Sequence, residues 1–199
     1  MKLRGLYAIT PEDVGRVAAA VASGALCALQ YRSKSTDRAR RLAEAHMLAR
    51  LCRRHGVPFI VNDDVELALE VDAAGVHLGR DDGSIAAARA RLPGRILGAS
   101  CYDRVALAER AVAEGADYVA FGSVYASPTK PGAVRAPLAL FGRDLGVPKV
   151  AIGGITAENA APLVAAGADA LAVLSDLFDA PDVAARAREY AKVFTHDHA

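Results

Sequence analysis

The chain has 199 residues, of which 53% are hydrophobic and 24% charged, a composition typical of one folded domain with a sizeable core. Its 24 Lys and Arg residues balance 23 Asp and Glu residues, so the net charge of +1 gives no overall attraction to nucleic acid or to an anionic membrane. The longest apolar runs fall short of the ~18 residues that a membrane span needs. We therefore expect a cytoplasmic protein that binds neither nucleic acid nor membranes.

Eight short apolar runs alternate with segments that carry helix signals. The runs are rich in Val, Ile, Leu and Ala, as strands of a parallel sheet are when both faces are covered. The predicted strands are 6–10, 26–32, 59–62, 76–79, 96–101, 118–124, 150–154 and 171–175. This pattern predicts one domain over residues 1–199, a single (β/α)8 TIM barrel with residues 193–199 as a frayed tail. A doubly wound open sheet is the alternative.

Start signals locate two of the helices, and the cysteines indicate packing rather than chemistry. Thr36 and Asp37 precede a helical stretch that ends at His55, and Thr156 opens a second stretch that ends at Ala166. The three cysteines form no Cys-x-x-Cys pair, and we interpret them as small buried hydrophobic residues.

Polar residues gather where the predicted strands end, which in a barrel is a shared mouth. Gln30, Arg32 and Lys34 alternate at the end of the second strand, so an extended chain places all three on one face and Tyr31 and Ser33 on the other. Arg and Lys at such a position indicate an anion clamp. The alternative is that the strand ends before Arg32 and both cations extend into solvent.

Carboxylates follow the third and fourth strands directly. Asp63 lies just after the third strand and Asp82 just after the fourth, without His or Cys partners. Oxygen ligands from two neighbouring loops suit a Mg²⁺ ion that is shared with substrate phosphates. We expect Asp64 and Asp81 instead to cap the helices that follow. His77, inside the fourth strand, is interpreted as a hydrogen-bonded core residue, with a catalytic base as the alternative.

A phosphate site is predicted on the other side of the mouth. Gly153 and Gly154 lie before a predicted helix start, and Ser175 ends the eighth strand, a combination that matches the phosphate site of many such barrels. One phosphate needs no metal, so the aspartates and cations elsewhere imply a second and more highly charged substrate. The residues thus indicate two small phosphorylated substrates and leave homo-oligomer formation open.

These residues, taken in order, resemble the thiamine phosphate synthase family over nearly the whole chain. The matching motifs are LYAIT at 6–10, QYRSK at 30–34, ND at 62–63, GVHLG at 75–79 with Asp82, GAS at 98–100, PTK at 128–130 and GGIT at 153–156. The resemblance implies a TIM-barrel transferase that joins hydroxymethylpyrimidine diphosphate to a thiazole phosphate and releases pyrophosphate, with Mg²⁺ as cofactor.

The resemblance also implies roles for single residues. The pyrimidine diphosphate would be held by Gln30, Tyr31, Arg32, Ser33, Lys34, Asn62, Ser100 and Lys130. The thiazole phosphate would be held by Ser127, Pro128, Thr129, Gly154, Leu174 and Ser175. Asp63 and Asp82 would bind Mg²⁺, and Arg32, Lys34 and Lys130 would stabilise the charge of the leaving group. Catalysis would then need no general base on the protein.

Three positions depart from the family pattern, and two other functions remain as alternatives. Arg80 replaces a common glutamine, Ser123 a common proline and Ser127 a common threonine. A thiazole tautomerase of the same fold would need a histidine base at the mouth. A noncatalytic sensor of the same pathway would be indicated by loss of a metal aspartate or of a cation, and the sequence keeps these residues.

Overall fold

Eight parallel strands close into a barrel, with each strand paired to the next in the chain and the first paired to the last. The structure, a computed structural model, describes residues 3–126 and 134–195. The strands are β1 Gly5–Ile9, β2 Leu26–Tyr31, β3 Phe59–Asn62, β4 Gly75–Leu78, β5 Ile96–Tyr102, β6 Tyr118–Gly122, β7 Lys149–Ile152 and β8 Ala170–Val173. The barrel prediction is confirmed, and the open-sheet alternative is wrong.

α-Helices surround the barrel and follow each strand except β6, after which the described residues form only a 3-10 turn before β7. They are α1 Val17–Ala22, α2 Arg38–His55, α3 Val65–Glu70, α4 Ile85–Arg91, α5 Val105–Ala113, α6 Ala161–Ala165, α7 Ser175–Phe178 and α8 Val183–Val193. Short 3-10 turns occur at Val14–Arg16 and Leu138–Leu140. Of the predicted frayed tail, Val193 still belongs to α8, and residues 196–199 lie outside the described part of the chain.

The helix starts follow capping chemistry, with two corrections to the sequence predictions. Asp37 and Asp64 cap α2 and α3 as expected. Asp81 does not cap α4, because the Ser84 side chain accepts the hydrogen bond from the Ala87 amide. The helix predicted from Thr156 begins only at Ala161, since the Asn159 side chain bonds to the Thr156 amide and holds the segment in a turn.

Strand alternation separates two apolar layers. Leu6, Leu29 and Val61 belong to the outer layer, which packs against the helices. Tyr7, Ile60 and Tyr118 belong to the inner layer, which fills the barrel. Because successive side chains point to opposite faces of a strand, the polar residues Gln30 and His77 share the inner face with these residues. The outer layer holds the helices against the strands, and the inner layer supports the residues at the mouth from below.

Cys52 and Cys101 are buried, as the sequence predicted, whereas Cys27 is only half-buried, and all three thiols are free. Burial raises the pKa of each of these thiols to about 12, which keeps them protonated at neutral pH. Within residues 3–126 and 134–195, none of the helices is both long and apolar enough to span a membrane.

Candidate functional site

A chain of buried hydrogen bonds crosses the barrel interior below the mouth. Gln30 donates from Nε2 to the Tyr7 hydroxyl over 3.1 Å, and the Tyr7 and Tyr118 hydroxyls are 2.8 Å apart. The Tyr118 hydroxyl lies 3.0 Å from His77 Nδ1, and His77 Nε2 lies 2.9 Å from Ser100 Oγ. The buried hydrogen-bond chain therefore links two predicted substrate-binding residues, Gln30 on β2 and Ser100 on β5.

His77 is a core residue in the middle of these buried hydrogen bonds. Desolvation by burial lowers the pKa of His77 to about 4, so its ring is neutral at physiological pH. Both ring nitrogens are engaged, one by Tyr118 and the other by Ser100. The ring also stacks on Tyr118, with centroids 5.5 Å apart. These contacts support the interpretation of His77 as a core residue and leave neither ring nitrogen free to act as a base.

The carboxyl groups of Asp63 and Asp82 meet at the mouth. Desolvation and the neighbouring Asp82 carboxyl raise the pKa of Asp63 to about 7, while Arg32 acts in the opposite direction. Asn62 donates from Nδ2 to Asp63 Oδ2 over 2.5 Å, and Asp63 adopts a left-handed conformation with φ 65°. The structure thus brings together three predicted site residues, Asn62 from the end of β3 and Asp63 and Asp82 from the loops after β3 and β4.

The donor set of this pair fits a hard divalent cation. Asp63 and Asp82 offer only oxygen atoms, and the raised pKa of Asp63 reflects the cost of burying its charge and, next, of holding that charge beside the Asp82 carboxyl. A cation between them would relieve that cost. A cavity of about 540 Å³ opens beside the pair and is lined in part by Ser33, Asn62 and Arg41.

Arg32 and Lys34 lie beyond the end of β2, which stops at Tyr31. Arg32 is half-buried and close enough to Asp63 to lower its pKa, whereas Lys34 is exposed. The buried Thr10 accepts a hydrogen bond from the Arg32 amide over 3.0 Å and donates to the Arg32 carbonyl over 3.2 Å. Thr10 thus fixes the backbone from which the Arg32 side chain extends.

The side chains of Tyr31 and Ser33 lie in different places from those of Arg32 and Lys34. The Tyr31 side chain is in the outer layer, and its hydroxyl donates to Glu44 of α2 over 2.8 Å, so this side chain lies away from the mouth. Strand alternation had predicted this direction, whereas the family motif had placed Tyr31 among the substrate contacts. Ser33 accepts a hydrogen bond from the Ser35 amide and lines the cavity beside Asp63.

The absence of side chains at Gly153 and Gly154 lets the loop after β6 approach closely, in addition to any ligand. A Cβ atom on Gly153 would lie 2.2 Å from Ser123 Oγ, and one on Gly154 would lie 2.4 Å from the Ala126 carbonyl oxygen. The loop after β6 therefore packs directly on the loop after β7. Leu174 is half-buried against the inner layer, and Ser175 is exposed at the first turn of α7.

Two groups of predicted residues complete the comparison with the sequence analysis. Ser127, Pro128, Thr129 and Lys130 lie outside the described residues, and their roles stay predictions. Two of the departures from the family pattern are described. Arg80 is exposed and places its guanidinium carbon 4.6 Å from the centre of the Tyr102 ring, and the Ser123 hydroxyl donates to the Tyr125 carbonyl over 2.8 Å.

Sequence reasoning missed three residues that support the site: Tyr7, Tyr118 and Thr10. Their signal was present, since Tyr7 and Tyr118 fall on inner-face positions by alternation and Thr10 directly follows β1. Their partners come from other strands, 22 to 111 residues away in the chain, so the contacts themselves required the structure.

Comparisons with known proteins identify the family of this chain. A family model described as thiamine monophosphate synthase matches residues 6–177. The chain belongs to this family. It is 57% identical to the thiamine-phosphate synthase of Aromatoleum aromaticum and to that of Chromobacterium violaceum, over 97% of each chain. A thiamine phosphate pyrophosphorylase from Pyrococcus furiosus has the same fold, with a TM-score of 0.89 and 32% identity over 100% of this chain and 98% of the other. The chain is therefore an enzyme, a transferase of thiamine biosynthesis.

Proposed function

We propose that the enzyme joins hydroxymethylpyrimidine diphosphate to a (carboxy)thiazole ethyl phosphate by a dissociative, Mg²⁺-assisted substitution, which yields thiamine phosphate and pyrophosphate. The observation that carries the proposal is the meeting of Asp63 and Asp82 beside Arg32, which makes a site for a metal-bound diphosphate. The thiazole phosphate would lie across the mouth, near Gly154, Leu174 and Ser175, where barrels of this type often bind phosphate. We also propose a cytoplasmic location.

The residues fit Mg²⁺ as the cofactor. Asp63 and Asp82 would hold it, and across residues 3–126 and 134–195 the structure groups no three His, Cys, Asp or Glu side chains as a metal cage. Such a cation would complete its coordination with water and substrate phosphate oxygens, as Mg²⁺ commonly does. When bound, Mg²⁺ would supply positive charge to the leaving pyrophosphate.

The reaction needs charge stabilisation and positioning from the protein. The bond between the pyrimidine methylene carbon and the diphosphate oxygen breaks, pyrophosphate takes the electron pair, and the thiazole nitrogen attacks the cationic carbon. Arg32, Lys34 and Lys130 would stabilise the departing charge, and Gln30, Asn62 and Ser100 would orient the pyrimidine. The proton count balances without a base on the protein, since the attacking nitrogen carries no proton.

The geometry disfavours a thiazole tautomerase. That activity needs a base at the mouth, and both nitrogens of His77 are already bound to Tyr118 and Ser100. Retention of Asp63 and Asp82 as a close pair is likewise more than a phosphate sensor requires.

The test is pyrophosphate release from the two substrates, measured with Mg²⁺ and then with a chelator. We expect release that requires both the metal and the thiazole phosphate, together with thiamine phosphate in matching amount. Release without the thiazole would indicate a pyrophosphohydrolase. Binding of thiazole phosphate without any release would overturn the proposal in favour of the tautomerase or the sensor.

A further inference from the structure

The buried hydrogen-bond chain has a direction. The amide nitrogen of Gln30 can only donate, so the Tyr7 oxygen accepts from it. In the favourable direction, Tyr7 donates to Tyr118. Tyr118 then donates to His77 Nδ1, and His77 donates from Nε2 to Ser100. The Tyr7, Tyr118 and His77 ring protons then each have an acceptor, and the Ser100 proton is left to point into the mouth.

The opposite direction is unfavourable. Ser100 would donate to His77, His77 to Tyr118 and Tyr118 to Tyr7. Tyr7 would then accept from both sides, and its own proton would have no acceptor among the hydrogen bonds of the described residues. A buried hydroxyl proton without a partner is costly, because it gives up its bond to water and gains none.

We propose that Tyr118 is a positioning residue, which holds the single ring proton of His77 on Nε2 and so makes Ser100 a hydrogen-bond donor to the substrate. The proposal rests on the proposed function in one respect, the assignment of Ser100 to the pyrimidine diphosphate. The substrate atom that Ser100 contacts is then an acceptor, such as an unprotonated ring nitrogen. The geometry supports the proposal, because each ring nitrogen of His77 faces one hydroxyl oxygen, and the partner of Nδ1 therefore decides which role Nε2 takes toward Ser100.

The backbone is arranged to hold the Tyr118 ring in this place. In the sheet register, Gly98 lies between His77 on β4 and Tyr118 on β6. A Cβ atom on Gly98 would lie 2.0 Å from Tyr118 Cζ and 2.3 Å from its hydroxyl oxygen. Because Gly98 has no side chain, the Tyr118 ring can occupy this space, and its hydroxyl reaches the His77 ring.

The first experiment reads the tautomer directly, by nitrogen NMR of protein labelled in the histidine rings. In the wild-type protein we expect His77 to be neutral, with its proton on Nε2. Tyr118→Phe keeps the aromatic ring and removes the donor to Nδ1, so both ring nitrogen signals should shift. Tyr190→Phe is the matched control. It removes a buried phenol hydroxyl that bonds to Asp176 outside the barrel interior, and it should leave the His77 signals unchanged.

The second experiment reads the consequence for the substrate. Tyr118→Phe should lower kcat/KM for the pyrimidine diphosphate about tenfold, the effect of one lost hydrogen bond, and leave KM for the thiazole phosphate unchanged. Ser100→Ala should cause a similar loss, and the double variant should lose little more than either single one, since both changes remove the same contact.

The outcomes separate this proposal from the proposed function. A wild-type His77 with its proton on Nδ1, or additive kinetic losses in the double variant, would overturn the role of Tyr118. A wild-type protein without synthase activity would overturn the proposed function, and the tautomer measurement alone would then decide the direction of the chain. If Tyr118→Phe folds poorly, Gly98→Ala provides the second variant, because displacing the ring should shift the same His77 signals.

Discussion

Asp63 and Asp82 follow different strands, yet both are tied by hydrogen bonds to the end of β4. The Asp63 amide donates to the His77 carbonyl over 2.8 Å, and Asp82 Oδ2 accepts from the Gly79 amide over 2.8 Å. These contacts hold the two carboxyl groups together, and the pKa of Asp63 is raised first by desolvation and next by the neighbouring Asp82 carboxyl. Like charges held together in this way by the fold are well suited to binding a cation.

Replacing Asp63 tests the metal assignment. Asp63→Asn removes one carboxylate and relieves the repulsion, so we expect pyrophosphate release to fall by about 100-fold or more. The free energy of unfolding without metal should stay within about 1 kcal/mol of wild type or rise slightly. Activity assays and urea unfolding measure the two effects, and the increase in Tm on adding Mg²⁺ should disappear.

Asp81→Asn is the matched control for that experiment. Asp81 is an exposed neighbour of Asp82 and carries the same charge. We expect its replacement to leave activity and the Mg²⁺ effect on Tm unchanged. Equal losses in both variants would show that general negative charge, rather than a defined pair of ligands, attracts the metal.

The sequence predicted the eight strands and the position of Asp63 and Asp82 because both depend on local patterns. Apolar runs mark covered strands, and residues that directly follow neighbouring parallel strands must share one edge. The helix start near Thr156 was wrong because the Asn159 side chain, three residues on, competes for the backbone amide. Capping of α4 by Asp81 was wrong because a nearer side chain, Ser84, performs it.

The interior chain of Tyr7, Tyr118 and His77 could not be derived in the same way. Alternation gives the face on which a tyrosine lies, but it does not give the height of that residue in a closed barrel. That height depends on the relative register of all eight strands, including the shifts after Leu6 in β1 and after Ser100 in β5. Gly98 was a visible signal, since a glycine inside a strand often marks a close approach.

His77 should make stability depend on pH. Its pKa is lowered to about 4 in the folded protein by burial and is about 6.5 when unfolded. Above pH 6.5 both states are neutral and the full stability is present. As pH falls from 6.5 to 4 the unfolded state gains a proton first, so the contribution of His77 to the free energy of unfolding should drop by about 2 kcal/mol between pH 7 and pH 5. The raised pKa of Asp63 acts in the opposite direction over the same range, so the His77 contribution has to be read from a variant.

Urea unfolding of wild type and His77→Asn at both pH values isolates this contribution. The variant should be less stable at pH 7, because it loses buried hydrogen bonds, and the stability difference between the two proteins should shrink by about 2 kcal/mol at pH 5. An identical drop in both proteins would assign the pH dependence to other groups.

Gly98→Ala tests the close approach of Tyr118. The added methyl group would lie 2.0 Å from Tyr118 Cζ, so the ring or the strands must shift. Overpacking of this kind costs about 1 to 3 kcal/mol, which urea unfolding should detect. Gly142→Ala is the matched control, since its nearest neighbour would be the Ala139 carbonyl oxygen at 3.7 Å, and it should change stability by less than about 0.5 kcal/mol.

Arg80 tests how a departure from the family pattern is accommodated. Its guanidinium carbon lies 4.6 Å from the centre of the Tyr102 ring, a cation–π contact. We therefore expect Arg80→Gln to lower the free energy of unfolding by about 0.5 to 1 kcal/mol and to change KM for the pyrimidine diphosphate by less than about threefold. Arg32→Gln, in contrast, should raise that KM about tenfold or more, because Arg32 lies beside Asp63. Equal effects of the two variants on KM would show that Arg80 leaves Tyr102 and binds the diphosphate, in which case this chain would use an additional cation that the family pattern lacks.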